Sequence, residues 1–252
     1  MTDTRHLLKP EELEALEKPA EFFPDLVCEY RDHMGDDDAV IEAMLVSTQG
    51  ASAKDLKADK GRIDFLMKNR HGTPFEHTAI KFYVRAPIMV FREWHRHRIG
   101  FSYNEVSARY KVMEPHFYIP GPDRPLVQHG KHSNTWFEPA TPEQYDIFVN
   151  DQQETFEFQW YKYAKQLKDG IAKEVARDVL GVGLYTQMFV TLNLRSALSF
   201  LSLRQKFTAE EAMFPSSPQW EINQCANQME ATIAELFPLT HQCYVDRLRV
   251  AP

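Results

Sequence analysis

Residues 92–111 read REWHRHRIGFSYNEVSARYK, and the run before them, Ala86-Pro87-Ile88-Met89-Val90-Phe91, is apolar. The stretch holds five Arg or Lys, two His, two Glu, two Ser, two Tyr and one Asn, a positive island in a chain whose formal net charge is -7. Like charges this dense repel one another, so a fold keeps them together only where water or a bound anion screens them. An ordinary charge run is a solvated face. Here the charges begin where a buried element ends, which sets them at the edge of a core. Arg offers a rigid fork of donors suited to phosphate and carboxylate, and Ser, Asn and backbone amides add directional hydrogen bonds. The stretch therefore predicts the floor of an anion-binding site.

Working outward, Thr78–Arg85 alternates with Ile80, Phe82 and Val84 on one face and predicts a strand. His71-Gly72-Thr73-Pro74 ends a helix over about 61–69 that buries Ile63, Leu66 and Met67. Asp36-Asp37-Asp38 opens a helix over Ala39–Val46, with a loop at Ser47–Ser52, and an earlier helix starts at Pro10 with Leu13 and Leu16 inward. Downstream, residues 110–119 predict a short extended segment, and the Pro, Gly and His of 120–142 predict a surface insertion or lid. His129 and His132 there have no third ligand at metal spacing and read as loop histidines. A long helix starts at Thr141-Pro142-Glu143. Its Tyr145, Phe148, Phe156, Trp160, Tyr163, Ala164 and Leu167 recur at three- and four-residue steps, a stripe for a core or a subunit interface. Residues 185–192 predict a strand, 193–206 a helix, and a last helix runs to about Leu236 and ends at Pro238. Gly181-Val182-Gly183 lacks the third glycine and context of a dinucleotide fingerprint.

The class these elements imply is α+β: a small mixed or antiparallel sheet flanked by long helices. With no linker, repeat or low-complexity tract, residues 1–252 are expected to form a single domain. A pI near 5.8 argues against a general nucleic-acid binder. No apolar run approaches the roughly 20 residues that span a bilayer, and the opening MTDTRHLLKPEELEALEK is too polar for a secretory signal. Cys28, Cys225 and Cys243 are odd in number and far apart, as expected of free thiols in a reducing cytoplasm.

Arg96-His97-Arg98, followed by Ser102-Tyr103-Asn104-Glu105-Val106-Ser107-Ala108-Arg109-Tyr110, resembles the signature of the flavin-dependent thymidylate synthases. A second likeness lies in Arg177, then Tyr185-Thr186 and Asn193-Leu194-Arg195-Ser196, with Arg204 and Gln219-Trp220-Glu221-Ile222 beyond. Together the two cover roughly residues 40–240. The chain departs from the pattern in four places: eight residues rather than seven between Arg98 and Ser107, Gly181 for a proline, Ser199 for a His or Asn, and an insertion at 207–218.

The resemblance implies reductive methylation of deoxyuridine monophosphate (dUMP) to dTMP, with methylenetetrahydrofolate as carbon donor and FAD, held noncovalently and reduced by NADPH, carrying the hydride. It implies FAD contacts at Thr73, Arg96, His97, Arg98, Glu105, Asn193, Leu194, Arg195 and Ser199, and adds His71. It implies dUMP contacts at Glu93, Trp94, His95, Arg96, Glu105, Val106, Ser107, Ala108, Arg109, Arg177 and Arg204, with Arg204 the catalytic residue at the uracil. It also implies a homotetramer. No cysteine lies in a motif suited to attack C6 of the pyrimidine, and a flavin route needs no such nucleophile. Arg195 and Arg204 are nine residues apart, about 900° of helical rotation and roughly 13.5 Å of rise, which aims them from opposite faces. The alternative reading is a nucleotide- and flavin-binding protein without catalysis.

Overall fold

The computed structural model describes residues 8–50, 55–131 and 134–252. In chain order the elements are α1 (Pro10–Ala15), β1 (Glu21–Phe23), β2 (Val27–Met34), α2 (Asp37–Gln49), α3 (Lys60–Lys68), β3 (Ala79–Pro87), α4 (Ile88–Trp94), β4 (Phe101–Glu105), β5 (His116–Tyr118), β6 (Val127–Lys131) and β7 (Asn134–Glu138). Then follow α5 (Pro142–Lys168), α6 (Lys173–Ala176), β8 (Tyr185–Leu192), α7 (Leu194–Arg204), α8 (Trp220–Leu236) and α9 (Pro238–Asp246). This is a mixed α+β chain. A four-stranded sheet has the order β2-β3-β8-β4, β1 pairs in parallel with β5, and β6 and β7 form a hairpin. The segment expected as an insertion or lid contains that hairpin; His132 lies outside the described residues. Among the described residues, no cluster of His, Cys, Asp and Glu suits a metal ion, and no helix is long and apolar enough to cross a membrane.

The residues separate into two compact units of interleaved stretches. One holds the described residues up to Asp25, Ala86–Met89 and Val106–Thr186. Its core is the buried face of α5: Phe156, Trp160, Tyr163, Ala164 and Leu167 pack with Leu16, Val112, Met113, Phe117 and Leu184. Phe117 and Phe156 stack at 4.8 Å. The aromatic stripe is thus core of its own unit. Thr141 caps α5 by accepting from the Gln144 amide, while the Gln144 side chain accepts from the Thr141 amide, so two orphan donors of the first turn are satisfied reciprocally. Gly181 stands where the family has proline, and its amide donates to Gln159 Oε1 at 2.8 Å, a bond proline cannot make.

The other unit holds Leu26–Arg85, Val90–Glu105 and Gln187–Pro252. In β3, Ile80, Phe82 and Val84 are fully buried, the alternation read in the sequence. β8 buries Met188, Val190 and Leu192. The chain leaves β8 into α7 through Asn193, which caps the helix by accepting from the Ser196 amide at 2.9 Å. β2 is an edge strand. Gln228 of α8 serves it as a neighbouring strand would, accepting from the Cys28 amide and donating to the Leu26 carbonyl, both at 2.8 Å.

Two helix limits differ from expectation. α2 runs on through Gln49, so Ser47–Gln49 is helix rather than loop. Pro238 does not stop the chain's helices but stands at the first position of α9, where its fixed φ suits a helix start. Phe237 offers α9 no side-chain cap. Asp37 of α2 supplies one from afar, accepting from the amides of Leu239 (2.8 Å) and Thr240 (3.1 Å) and from the Thr240 hydroxyl (2.6 Å). Replacing Asp37 with Ala strands buried donors and is expected to cost about 2–3 kcal/mol. Urea unfolding at unchanged m-value measures this, and a midpoint equal to wild type contradicts it.

Candidate active site

The signature stretch turns sharply after α4. The Tyr103 hydroxyl lies 2.9 Å from the Trp94 carbonyl and 2.7 Å from that of His97, its one proton shared between two acceptors. Ile99 and Gly100 then form a turn, with Ile99 90% exposed and Gly100 at φ +71°. The turn is fastened to the start of α7: Ser196 Oγ donates to the Ile99 carbonyl at 2.8 Å, and the Asn193 amide to that of Gly100 at 3.3 Å. A Cβ on Gly100 would stand 2.2 Å from Ser196 Oγ, so both space and backbone require glycine. The eight residues between Arg98 and Ser107 thus make this turn and then β4, which pairs antiparallel with β8.

A cavity of about 540 Å³ opens at this turn, lined by Arg70, Arg96, His97, Arg98, Arg195 and Glu76, with Ile99, Phe101, Ser196, Ser199, Ala251 and Pro252. Four guanidinium groups and one glutamate side chain line it, a cationic site inside an acidic protein. Arg195 is held on three sides. Its Nη1 donates to Glu76 Oε1 at 2.5 Å, its Nε to the Pro252 carbonyl at 3.0 Å, and a Cβ on Gly72 would lie 2.4 Å from its Nε. Guanidinium carries five N–H donors, so two are committed here and others remain for a ligand.

Arg204, the last residue of α7, lies in a second cluster. Its Nη1 donates to Glu93 Oε2 at 2.6 Å, its Nη2 to the Glu93 carbonyl at 3.3 Å, and its Nε to His97 Nε2 at 2.9 Å. His97 accepts through Nε2, which assigns its proton to Nδ1. Burial first, then the positive charges of Arg204 and Arg96, pull the His97 pKa down to about 4, so the ring is neutral at neutral pH. Arg195 and Arg204, aimed apart by helical rotation, both meet the 96–98 segment of their own chain: Arg195 shares the cavity with His97, and Arg204 bonds it.

The remaining sequence-predicted residues divide clearly. Trp94 is fully buried and packs on Phe200 at 4.3 Å. His95 Nε2 lies 3.9 Å from Glu105 Oε2. Asn193 spends its side chain on the helix cap, and Leu194 is fully buried with its amide donating to Thr78 Oγ1 at 3.1 Å. Thr73 opens the 3₁₀ turn Thr73–Glu76, whose last residue reaches the cavity. His71 makes an edge contact with Phe65 at 5.7 Å. In the other unit, Arg109 and Arg177 gather on one residue: Arg109 Nε donates to Glu174 Oε2 at 2.7 Å, and Arg177 Nε to the Glu174 carbonyl at 3.2 Å. Ser107 Oγ accepts from the Arg109 amide at 3.3 Å. Val106 and Ala108 pack partly buried against that unit's core. Arg70 and the 251–252 segment were not singled out from sequence, whereas Glu76 belongs to the loop Pro74-Phe75-Glu76-His77, which the resemblance implies lies near the flavin.

The thiols are shut away. Burial pushes Cys225 up to about 12 and Cys243 up to about 11, and raises Cys28 well above its usual range. Burial thus favours the protonated thiol in all three at neutral pH.

The family model described as thymidylate synthase complementing protein matches residues 30–239. A flavin-dependent thymidylate synthase from Streptomyces coelicolor is 43% identical over 233 residues, covering 90% of this chain and 94% of its own. The chain belongs to the flavin-dependent thymidylate synthase family. Its relative from Thermosipho africanus is 37% identical over 214 residues, covering 85% and 88%. A solved structure of the UMP/dUMP methylase PolB from Streptomyces cacaoi with 5-Br UMP superposes with a TM-score of 0.86 at 38% identity, covering 92% of this chain and all of that one. The family name implies a flavin, and the four-arginine cavity suits the phosphate that such a cofactor carries.

The His97 ring is expected to titrate near pH 4 by NMR, with the Nδ1–H tautomer above that. Replacing Arg204 with Ala removes one positive neighbour and raises that pKa, still short of 6.5 because burial remains. Since the unfolded ring titrates near 6.5, the unfolded chain binds more protons between 6.5 and about 4, and stability falls as pH drops through that window. A His97 titrating at 6.5 in the folded protein contradicts the assignment.

Proposed function

We propose that the protein methylates dUMP to dTMP reductively, with methylenetetrahydrofolate as carbon donor, FAD as redox cofactor and NADPH as reductant. The observation that carries this reading is the cavity of four arginines and one glutamate that gathers Arg96, His97, Arg98 and Arg195 of the two motifs in a chain of this family. Reduced flavin, when bound, supplies the hydride that turns a one-carbon bridge into a methyl group. Arg96, Arg98 and Arg195 hold its diphosphate. Ser107, Arg109 and Arg177 take the dUMP phosphate and Glu93, His95 and Glu105 the nucleoside, whichever subunit of the assembly supplies each set. The Arg109–Glu174 bridge is half exposed on both sides, so it is weak and yields to a dianionic phosphate. Arg204 stabilises negative charge on the uracil at N3, which makes C5 more nucleophilic, and it does so without losing its own proton. Glu93 keeps that guanidinium in place. With all three thiols protonated and buried, no cysteine thiolate is offered to C6 of the pyrimidine.

The same reading takes the chain as one cytoplasmic catalytic module that works as a homotetramer. Ile147, Phe158 and Tyr161 are exposed along α5, the first two eleven residues and about 20° apart on the helix, a row suited to a partner subunit. A second reading, UMP as substrate, draws on the likeness to a methylase whose description names both UMP and dUMP.

Product formation from dUMP and UMP, followed beside nicotinamide oxidation, tests both. Product from dUMP supports the proposal, and flavin binding with neither nicotinamide oxidation nor product leaves only a binding protein. Arg204→Ala is expected to lower turnover by about 10²–10³ with flavin still bound, and Arg204→Lys to recover part. Unchanged product formation in Arg204→Ala would sink its catalytic role. Glu174→Gln frees Arg109 and is expected to tighten dUMP binding by about two- to fivefold, since an exposed pair contributes little. Weaker binding in that variant contradicts the phosphate assignment.

A further inference from the structure

The residues after α9 follow an unusual path. Leu248 and Arg249 both have positive φ, 50° and 58°, a region that side chains other than glycine seldom occupy and that persists only when surroundings impose it. The surroundings are specific. Arg247 forms a two-pronged bridge to Asp64, with both bonds at 2.6 Å. The Leu248 carbonyl accepts from the Met213 amide at 2.9 Å. Arg249 lies 4.3 Å over the ring of Phe207 and donates through Nη1 to Glu230 Oε1. Glu230 also accepts from Gln205 Nε2 at 2.6 Å and bonds His241 Nε2 at 2.9 Å. Phe207 and Met213 belong to the insertion 207–218 that the family pattern lacks. Beyond Arg249, Ala251 and Pro252 line the arginine cavity, and the Pro252 carbonyl takes the Arg195 Nε–H.

We propose that Arg249 is a positioning residue for the flavin site: braced by the insertion, it fixes the 249–252 segment as a wall of the cavity and so sets Arg195. The chain of contacts is continuous, from Phe207 and Glu230 through Arg249 to Pro252 and the Arg195 guanidinium. Arg195 Nε is turned by the Pro252 carbonyl while Glu76 holds Nη1, so the donors left for a ligand point one way only if both acceptors are in place. The insertion thereby supports this strap of residues rather than gating the opening. The proposal rests on the cavity's being the flavin site.

The test is FAD affinity of the full chain, freed of flavin and titrated by fluorescence well below each variant's melting temperature. Arg249→Met is expected to weaken FAD binding about tenfold, and Arg249→Lys, which keeps charge but loses the fork and the stacking, by less. Phe207→Leu removes the brace without disturbing a buried charge and is expected to weaken binding in the same direction, which serves if Arg249→Met does not fold. In an Arg195→Met background the Arg249 substitutions are expected to add no further loss, because their effect passes through Arg195. A role in stability alone lowers the melting temperature and leaves FAD affinity at the wild-type value, which overturns the proposal. Equal further loss in both backgrounds overturns it too. Wild-type FAD affinity in Arg195→Met itself overturns the flavin reading of the cavity, and the strap with it.

Discussion

An arginine that receives an anion must be kept in place before the anion arrives, and three arginines here are each held by one glutamate. Glu76 holds Arg195, Glu93 holds Arg204, and Glu174 holds Arg109. A lone guanidinium on a long stem loses rotamer freedom when it binds, so prior pairing lowers what binding must spend on order. The partners differ in how firmly they hold. Arg204 is largely buried and also bonded to His97, whereas the Arg109 pair lies open to solvent and is easily exchanged. That grading suits the proposed roles, a catalytic charge that stays and a phosphate contact that opens.

The same logic explains how an acidic protein tolerates a knot of arginines. Repulsion among Arg70, Arg96, Arg98 and Arg195 is relieved in part by Glu76 and the Pro252 main-chain oxygen, both at Arg195, and the remaining positive charge is what the proposed anionic ligand would meet. His97 takes the burden of this arrangement. Set among cations and partly buried, it gives up its own charge and serves as an acceptor.

Much of this was legible in the sequence, and what was not has a common cause. The alternation of Ile80, Phe82 and Val84 and the apolar run of β8 declared two central strands, because both bury at least one whole face. β2 went unread because six of its eight residues are exposed and no period shows. α9 went unread because Pro238 serves equally as a stop and as a first helical residue. In the site, the Arg and His positions showed themselves by local density. Glu76 is 119 residues from Arg195 and Glu93 is 111 from Arg204, so nothing local marks them as partners. The wall at 251–252 depends on two backbone conformations that no propensity announces.

The long reach of these contacts governs when the fold can form. Gln228 completes the edge of β2 across 200 residues, Asp37 caps α9 across 203, and Arg247 ties to Asp64 across 183. A chain made from its N-terminus on the ribosome therefore exposes the β2 edge and the bare carboxylate of Asp37 until nearly all of it has been synthesised. Local helices form early, but closure of this unit waits for its last segments, and pairings so distant in sequence make that step slow. During that interval the growing chain depends on chaperones, or on speed, to avoid pairing its uncovered edge with another chain.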